Sequence, residues 1–215
     1  MFQSFYVDAR LSGVDLGTVL CWKEPEESPM TKIVHCIRHG QSTFNAHWAE
    51  HGEDPLHIDA PLTDLGRSQV AERAPELRRH PYELVVTSPL TRAIQTTMGL
   101  FEDHPASPSI LVECLHREAL ESSCDVGRAV SCLSQEFPHL SFGHLEEVWW
   151  HNEGEVNERG FVYEPAHVFE ERVERFRGWL AERPEGMIAV VGHGTFFSKL
   201  TGRFLNNCEV ATLEL

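Results

Sequence analysis

Val34-His35-Cys36-Ile37-Arg38-His39-Gly40-Gln41-Ser42-Thr43-Phe44-Asn45 is the stretch from which the rest of the chain can be read. It opens on a short apolar run, Ile33 to Ile37, that is stopped at once by Arg38-His39-Gly40. A run this short, ended by polar and glycine residues, fits a strand buried on both faces. The arrangement recurs further along. Leu84-Val85-Val86 runs into Thr87-Ser88-Pro89, and Ile188 to Val191 runs into Gly192-His193-Gly194.

Helical signals lie between these strands. Thr63 is placed to cap a helix that starts at Asp64, with Val70, Ala74 and Leu77 on one face, and Pro75 is expected to kink or split it. Ser88 is placed to cap a second helix, with Pro89 at its first position. Phe169, Val173, Phe176 and Leu180 recur at helical spacing before Arg183-Pro184-Glu185-Gly186 breaks the chain and a strand over 187–191 begins. Strand then helix, repeated, predicts an α/β fold: a mainly parallel central sheet with helices on both faces, in three α/β/α layers. Residues 1–30 end in the turn-rich Glu24-Pro25-Glu26-Glu27-Ser28-Pro29 and read as an N-terminal extension to a domain over 31–215. Within that domain 113–164 reads as a long excursion; its stretch 139–164, rich in His, Glu and Trp and without a period, is a candidate cap over a site.

In open parallel sheets, ligands bind beyond the carboxyl ends of the strands. Arg38, His39, Arg92 and His193 collect there in this sequence. That inventory suits a phosphoryl group: Arg presents a planar fork of donors to phosphate oxygens, and imidazole acts as nucleophile or donor. Gly40, Gly192 and Gly194 flank the two histidines and are expected to permit close backbone approach and strained dihedrals. No His pair stands at metal-ligand spacing with a Cys or Asp, and Arg38 beside His39 repels a cation, so neither a metal nor another cofactor is expected.

The opening stretch resembles the Arg-His-Gly signature of the histidine phosphatase superfamily, in its phosphoglycerate-mutase-like branch. Three further blocks are similar to that family in the same order: Pro61-Leu62-Thr63-Asp64-Leu65-Gly66, Thr87-Ser88-Pro89-Leu90-Thr91-Arg92-Ala93-Ile94-Gln95-Thr96 and Val191-Gly192-His193-Gly194. The resemblance spans about residues 31 to 200 and implies a phosphoglycerate-mutase-like fold. It implies that His39 accepts the phosphoryl group, while Arg38, Arg92 and His193 complete the phosphate pocket and Asn45 adds a neutral donor. Asn45 is equally placed to cap its own helix. The family protonates the leaving oxygen with a carboxylic acid, and Leu115-His116-Arg117-Glu118-Ala119-Leu120 resembles that block, so Glu118 is the candidate acid, with Glu113, Glu121 and Asp125 close by. Cys124-Asp125-Val126-Gly127-Arg128 departs from the mutase-type continuation. The expected activity is therefore that of a metal-independent histidine acid phosphatase-type enzyme acting on a small-molecule phosphomonoester. A mutase and a non-catalytic phospho-ligand or protein-binding module are the alternatives.

The composition narrows the partners. With 215 residues, 41% of them hydrophobic, the chain can bury an ordinary core. A formal charge of −15 repels nucleic acid and anionic lipid, and no run of Lys and Arg offers a local exception. No apolar stretch approaches the roughly 20 residues that cross a bilayer. Asp8, Arg10 and Asp15 interrupt what would be a signal-peptide core. The six cysteines, without a CxxC pair, read as reduced thiols of a cytoplasmic protein.

Overall fold

A computed structural model describes residues 31–215; the expected N-terminal extension over 1–30, and Cys21 with it, lies outside the described residues. The sheet is built from β1 (Ile33–Arg38), β2 (Leu84–Thr87), β3 (Ser109–Val112), β4 (Met187–Gly192) and β5 (Val210–Glu214) in the order β3-β2-β4-β1-β5. β1 pairs with β4, and β2 with both β4 and β3, all in parallel, while β5 runs antiparallel to β1 at one edge. The three strands expected from the sequence are the three central ones. Their apolar runs are continuous because both faces are covered.

Alternation along those strands sorts the core into two layers. Val34, Cys36, Leu84, Val86, Ile188 and Val190 pack with Phe169, Val173, Phe176 and Leu180 of α5 (Ala166–Ala181) and with Phe196, Phe197 and Leu200 of α6 (Gly194–Thr201). Ile37, Val85, Ala189 and Val191 pack instead with α2 (Asp64–Leu77) and α3 (Thr91–Phe101). Successive side chains of a strand point to opposite faces, so this division is the three-layer α/β/α sandwich.

Thr63 caps α2 as its position suggests, accepting from the Gly66 N–H, and Val70, Ala74 and Leu77 are all buried. Pro75 does not split this helix. It falls two residues before the end, where its missing N–H removes one bond near a terminus. Ser88 does not cap α3. The helix begins at Thr91, Leu90 holds the cap position without a side-chain bond, and Asp59 Oδ1 takes the Thr91 N–H at 2.7 Å.

α1 (Thr43–His51) follows β1 directly. The 113–164 excursion holds a 3-10 turn at Ser123–Asp125 and the short α4 (Val130–Glu136). Trp149 is buried there among Leu90, Ile94, Val112, Leu133 and Phe142, and its indole N–H donates to the Arg128 carbonyl. Cys36, Cys114, Cys124, Cys132 and Cys208 are free thiols. Among the described residues no helix is long and apolar enough to cross a membrane.

Candidate active site

The loops beyond β1, β2 and β4 converge on a cavity of 130 Å³ whose walls include Arg38, His39, Asn45, Arg92, Glu118 and Asp125. His39 is 3% exposed, immediately beyond β1. Its Nδ1 lies 2.7 Å from the Gly40 carbonyl, which can only accept, so the ring proton sits on Nδ1. Nε2 is left with a bare lone pair, toward which Arg92 Nε donates at 3.2 Å. Burial, helped by the Arg92 and Arg38 guanidinium groups, holds the imidazole well below its ordinary value. His39 is thus a neutral imidazole between two cations.

His193 caps α6 from the end of β4 and is fully buried. It does not line the cavity. Its ring centroid is 5.3 Å from that of His39, and its Nε2 meets Ser88 Oγ at 2.8 Å. The serine read as a helix cap is therefore a partner of this histidine. His193 is also kept neutral, by burial first and then by Arg92. Its Nδ1 is buried without a partner among the described residues, and so is Arg38 Nε. Arg38 donates from its terminal nitrogen to the Leu205 carbonyl at 2.7 Å and lies under the Phe204 ring. Two orphaned nitrogens beside a neutral nucleophile demand an explanation, since buried polar groups are otherwise paired.

Arg92, 2% exposed, is fixed at three points: His39 Nε2, the Cys124 carbonyl at 2.6 Å and Asp125 Oδ1 at 2.9 Å. Asp125 also accepts from the Ser122 N–H. Burial pushes its carboxyl up to about 7, with Arg92 pulling it down and the Glu118 carboxylate raising it.

Glu118 reaches the cavity from the loop after β3 and meets the N-terminus of α6, where Thr195 and Phe196 N–H groups each donate to it at 2.9 Å. The positive end of a helix favours a carboxylate there. Arg172 of α5 holds this loop in place, donating to the Leu115, Arg117 and Glu118 carbonyls while Glu164 grips it with both oxygens. Of the other acids considered, Glu121 lines the cavity and Glu113 does not, being turned onto the Leu115 N–H. Asn45 caps its own helix, its Oδ1 accepting from the Ser42 N–H in a capping box, and the residue also lines the cavity.

The glycines supply room, not unusual dihedrals: Gly40, Gly192 and Gly194 are absent from the glycines with positive φ. A Cβ on Gly40 would stand 2.7 Å from the Gly66 carbonyl oxygen, and one on Gly66 would stand 2.1 Å from that of Gln41. The first two sequence blocks thus touch backbone to backbone.

Three residues with no motif to mark them also serve the site. Asn207 donates to the His39 carbonyl at 2.9 Å, and Arg172 and Glu164 brace the Glu118 loop. Arg172 left a signal: it is a charge on the apolar stripe of α5, three residues after Phe169 and four before Phe176. Asn207 and Glu164 left none.

The family described as histidine phosphatase superfamily (branch 1) matches residues 34–214. A "Phosphoglycerate mutase-like protein" of Arabidopsis thaliana is 30% identical over 82% of this chain and 76% of its own length. A glucosyl-3-phosphoglycerate phosphatase of Mycolicibacterium vanbaalenii is 25% identical over 79% of this chain and 72% of its own. Among solved structures, a putative alpha-ribazole-5'-P phosphatase from Escherichia coli has the same fold, with a TM-score of 0.58 at 20% identity over 84% of this chain and 89% of that one.

Proposed function

This chain belongs to the histidine phosphatase superfamily, whose activities are those of phosphatases and mutase-like enzymes, and from that premise we propose that it hydrolyses a small-molecule phosphomonoester through a phosphohistidine at His39. The catalytic domain in this reading is 31–215, with 113–164 as its excursion. The observation that carries it is the state of His39. A neutral ring with its proton on Nδ1 leaves the Nε2 lone pair for phosphorus once Arg92 Nε turns from it to a phosphoryl oxygen, and beside that ring Arg38 Nε and His193 Nδ1 have no partner among the described residues.

His39 Nε2 attacks phosphorus in line as the bond to the alcohol oxygen breaks, and Glu118 relays to that oxygen the proton that the phosphomonoester monoanion brings in. Arg38, Arg92, His193 and Asn45 hold the phosphoryl oxygens, and the charge that builds on them in the transition state is met by donors already in position. Water then attacks phosphorus and returns a proton to Glu118, and the N–P bond breaks to restore His39 and release phosphate. No step calls for a metal.

Phosphate release from a panel of phosphomonoesters tests the reading. His39→Ala should release none above background, vanadate should inhibit as a mimic of five-coordinate phosphorus, and chelators should have no effect. Release by His39→Ala at the wild-type rate, or loss of activity with a chelator, would overturn it. Interconversion of 2- and 3-phosphoglycerate faster than their hydrolysis would make the enzyme a mutase instead. No turnover on any ester would leave a binding module.

A further inference from the structure

The phosphate cavity opens into a second, larger one of 410 Å³, and the two share Arg38, Phe44, Asn45, Ser122 and Thr195. The inner 130 Å³ suits a phosphoryl group; the outer volume is where the alcohol it is bound to must lie. The outer walls are aromatic. Phe44 and Trp48, one turn apart on α1, stack with centroids 5.9 Å apart and planes 13° from parallel. Phe204 comes from the loop after α6. Trp48 is 50% exposed and Phe204 59%, two large apolar side chains left to water at the mouth of one cavity. Scattered exposed apolar groups need no explanation, but a cluster at a cavity mouth does.

Charge narrows the occupant further. Arg38 is the one charged residue among the described lining of the outer cavity, and it is already committed to the Leu205 carbonyl, the Phe204 ring and the inner site. The remaining polar lining is neutral: Asn45, Asn207, Ser122 and Thr195. A carboxylate on the alcohol would be desolvated here with no cation of its own, at a net protein charge of −15. A flat neutral ring would cover Trp48 and Phe204 and stack on them.

We propose that the physiological substrate is the phosphomonoester of a neutral, ring-bearing alcohol, seated between the Phe44–Trp48 stack and Phe204. This rests on the phosphatase reading above and adds the leaving group to it. It sets phosphoglycerates, whose alcohol carries a carboxylate, among the poor substrates.

The test compares kcat/KM for 2-naphthylmethyl phosphate, glycerol 3-phosphate and 3-phosphoglycerate, alkyl esters of similar intrinsic reactivity, with p-nitrophenyl phosphate as a check on the chemistry. The naphthylmethyl ester should exceed both others by at least about tenfold, and Trp48→Ala and Phe204→Ala should each shrink that ratio by about fivefold, chiefly through KM. Both side chains are exposed, and circular dichroism confirms that the variants fold. A preference for 3-phosphoglycerate, or a ratio unmoved in both variants, overturns the leaving-group inference alone. Failure to hydrolyse any ester, p-nitrophenyl phosphate included, overturns the phosphatase reading beneath it.

Discussion

His39 owes its reactivity to one hydrogen bond: the Gly40 carbonyl fixes the ring proton on Nδ1 and so hands Nε2 to the cavity. The two carboxyls nearby divide the remaining work. Glu118 answers the N-terminus of α6, whereas Asp125 answers Arg92. If Glu118 is the acid, Glu118→Gln should slow alkyl phosphates at least about a hundredfold but p-nitrophenyl phosphate, which needs little protonation, far less. Equal losses on both would remove Glu118 from that role. Asp125 titrates near 7, so below that pH it is neutral and Arg92 is free for phosphate; above it, the carboxylate competes. kcat/KM should therefore fall as pH rises through about 7, and Asp125→Asn should flatten that limb with no dependence on the leaving group. An unchanged pH profile in Asp125→Asn would contradict it. The residues that carry these ideas differ in how far the sequence announced them. Arg38, His39, Arg92 and His193 each stand at a strand end or helix start inside a recognisable block. The pairing of Asp125 with Arg92 joins a 3-10 turn to the first turn of α3, 33 residues away, and nothing in spacing or composition encodes it.

At the level of elements, the loop after β1 and the start of α2 are pressed together at Gly40 and Gly66, where Thr63 and Gln41 also bond through backbone and side chain. Gly66→Ala places a carbon 2.1 Å from a backbone oxygen that cannot rotate away, so the loop itself must shift. Stability should drop by about 2 kcal/mol, the scale of an overpacked site, and kcat should fall with it because His39 sits two residues from the contact. Chemical denaturation and turnover read the two effects; wild-type values for both would show that the contact is slack. Elements buried on both sides were legible, since their apolar runs have no other use. β3 and β5 were not. Both are edge strands, with only Val112 of β3 and only Ala211 of β5 buried. α3 starts at Thr91, beyond the cap position that Ser88 suggests, because Asp59, far away in sequence, takes the Thr91 N–H.

Across the whole molecule, the site is buried in a fold that keeps several histidines neutral. His116 is the clearest: stacked on Phe176 and bonded to the Val191 carbonyl, it is held by burial down to about 3. Its folded value lies below its unfolded one, so between them the unfolded chain binds more protons. The stability it supports is complete above about pH 6.5 and is lost as pH falls toward 3, on the order of 1 kcal/mol per pH unit. His116→Phe should reduce the acid slope of unfolding free energy by that amount; an unaltered slope would mean that His116 is not buried neutral. Three-layer architecture and the position of the site followed from strand order and the ends of strands, which local sequence records. The leaving-group cavity did not, because Trp48 and Phe204 are joined only by the fold. All of it turns on whether the phosphoryl group passes through His39. Quenching steady-state turnover of p-nitrophenyl phosphate in alkali and mapping the peptides by mass spectrometry should find phosphate on His39, stable to base and lost in acid. Turnover with that peptide unmodified, or with the phosphate on another residue, would contradict the mechanism.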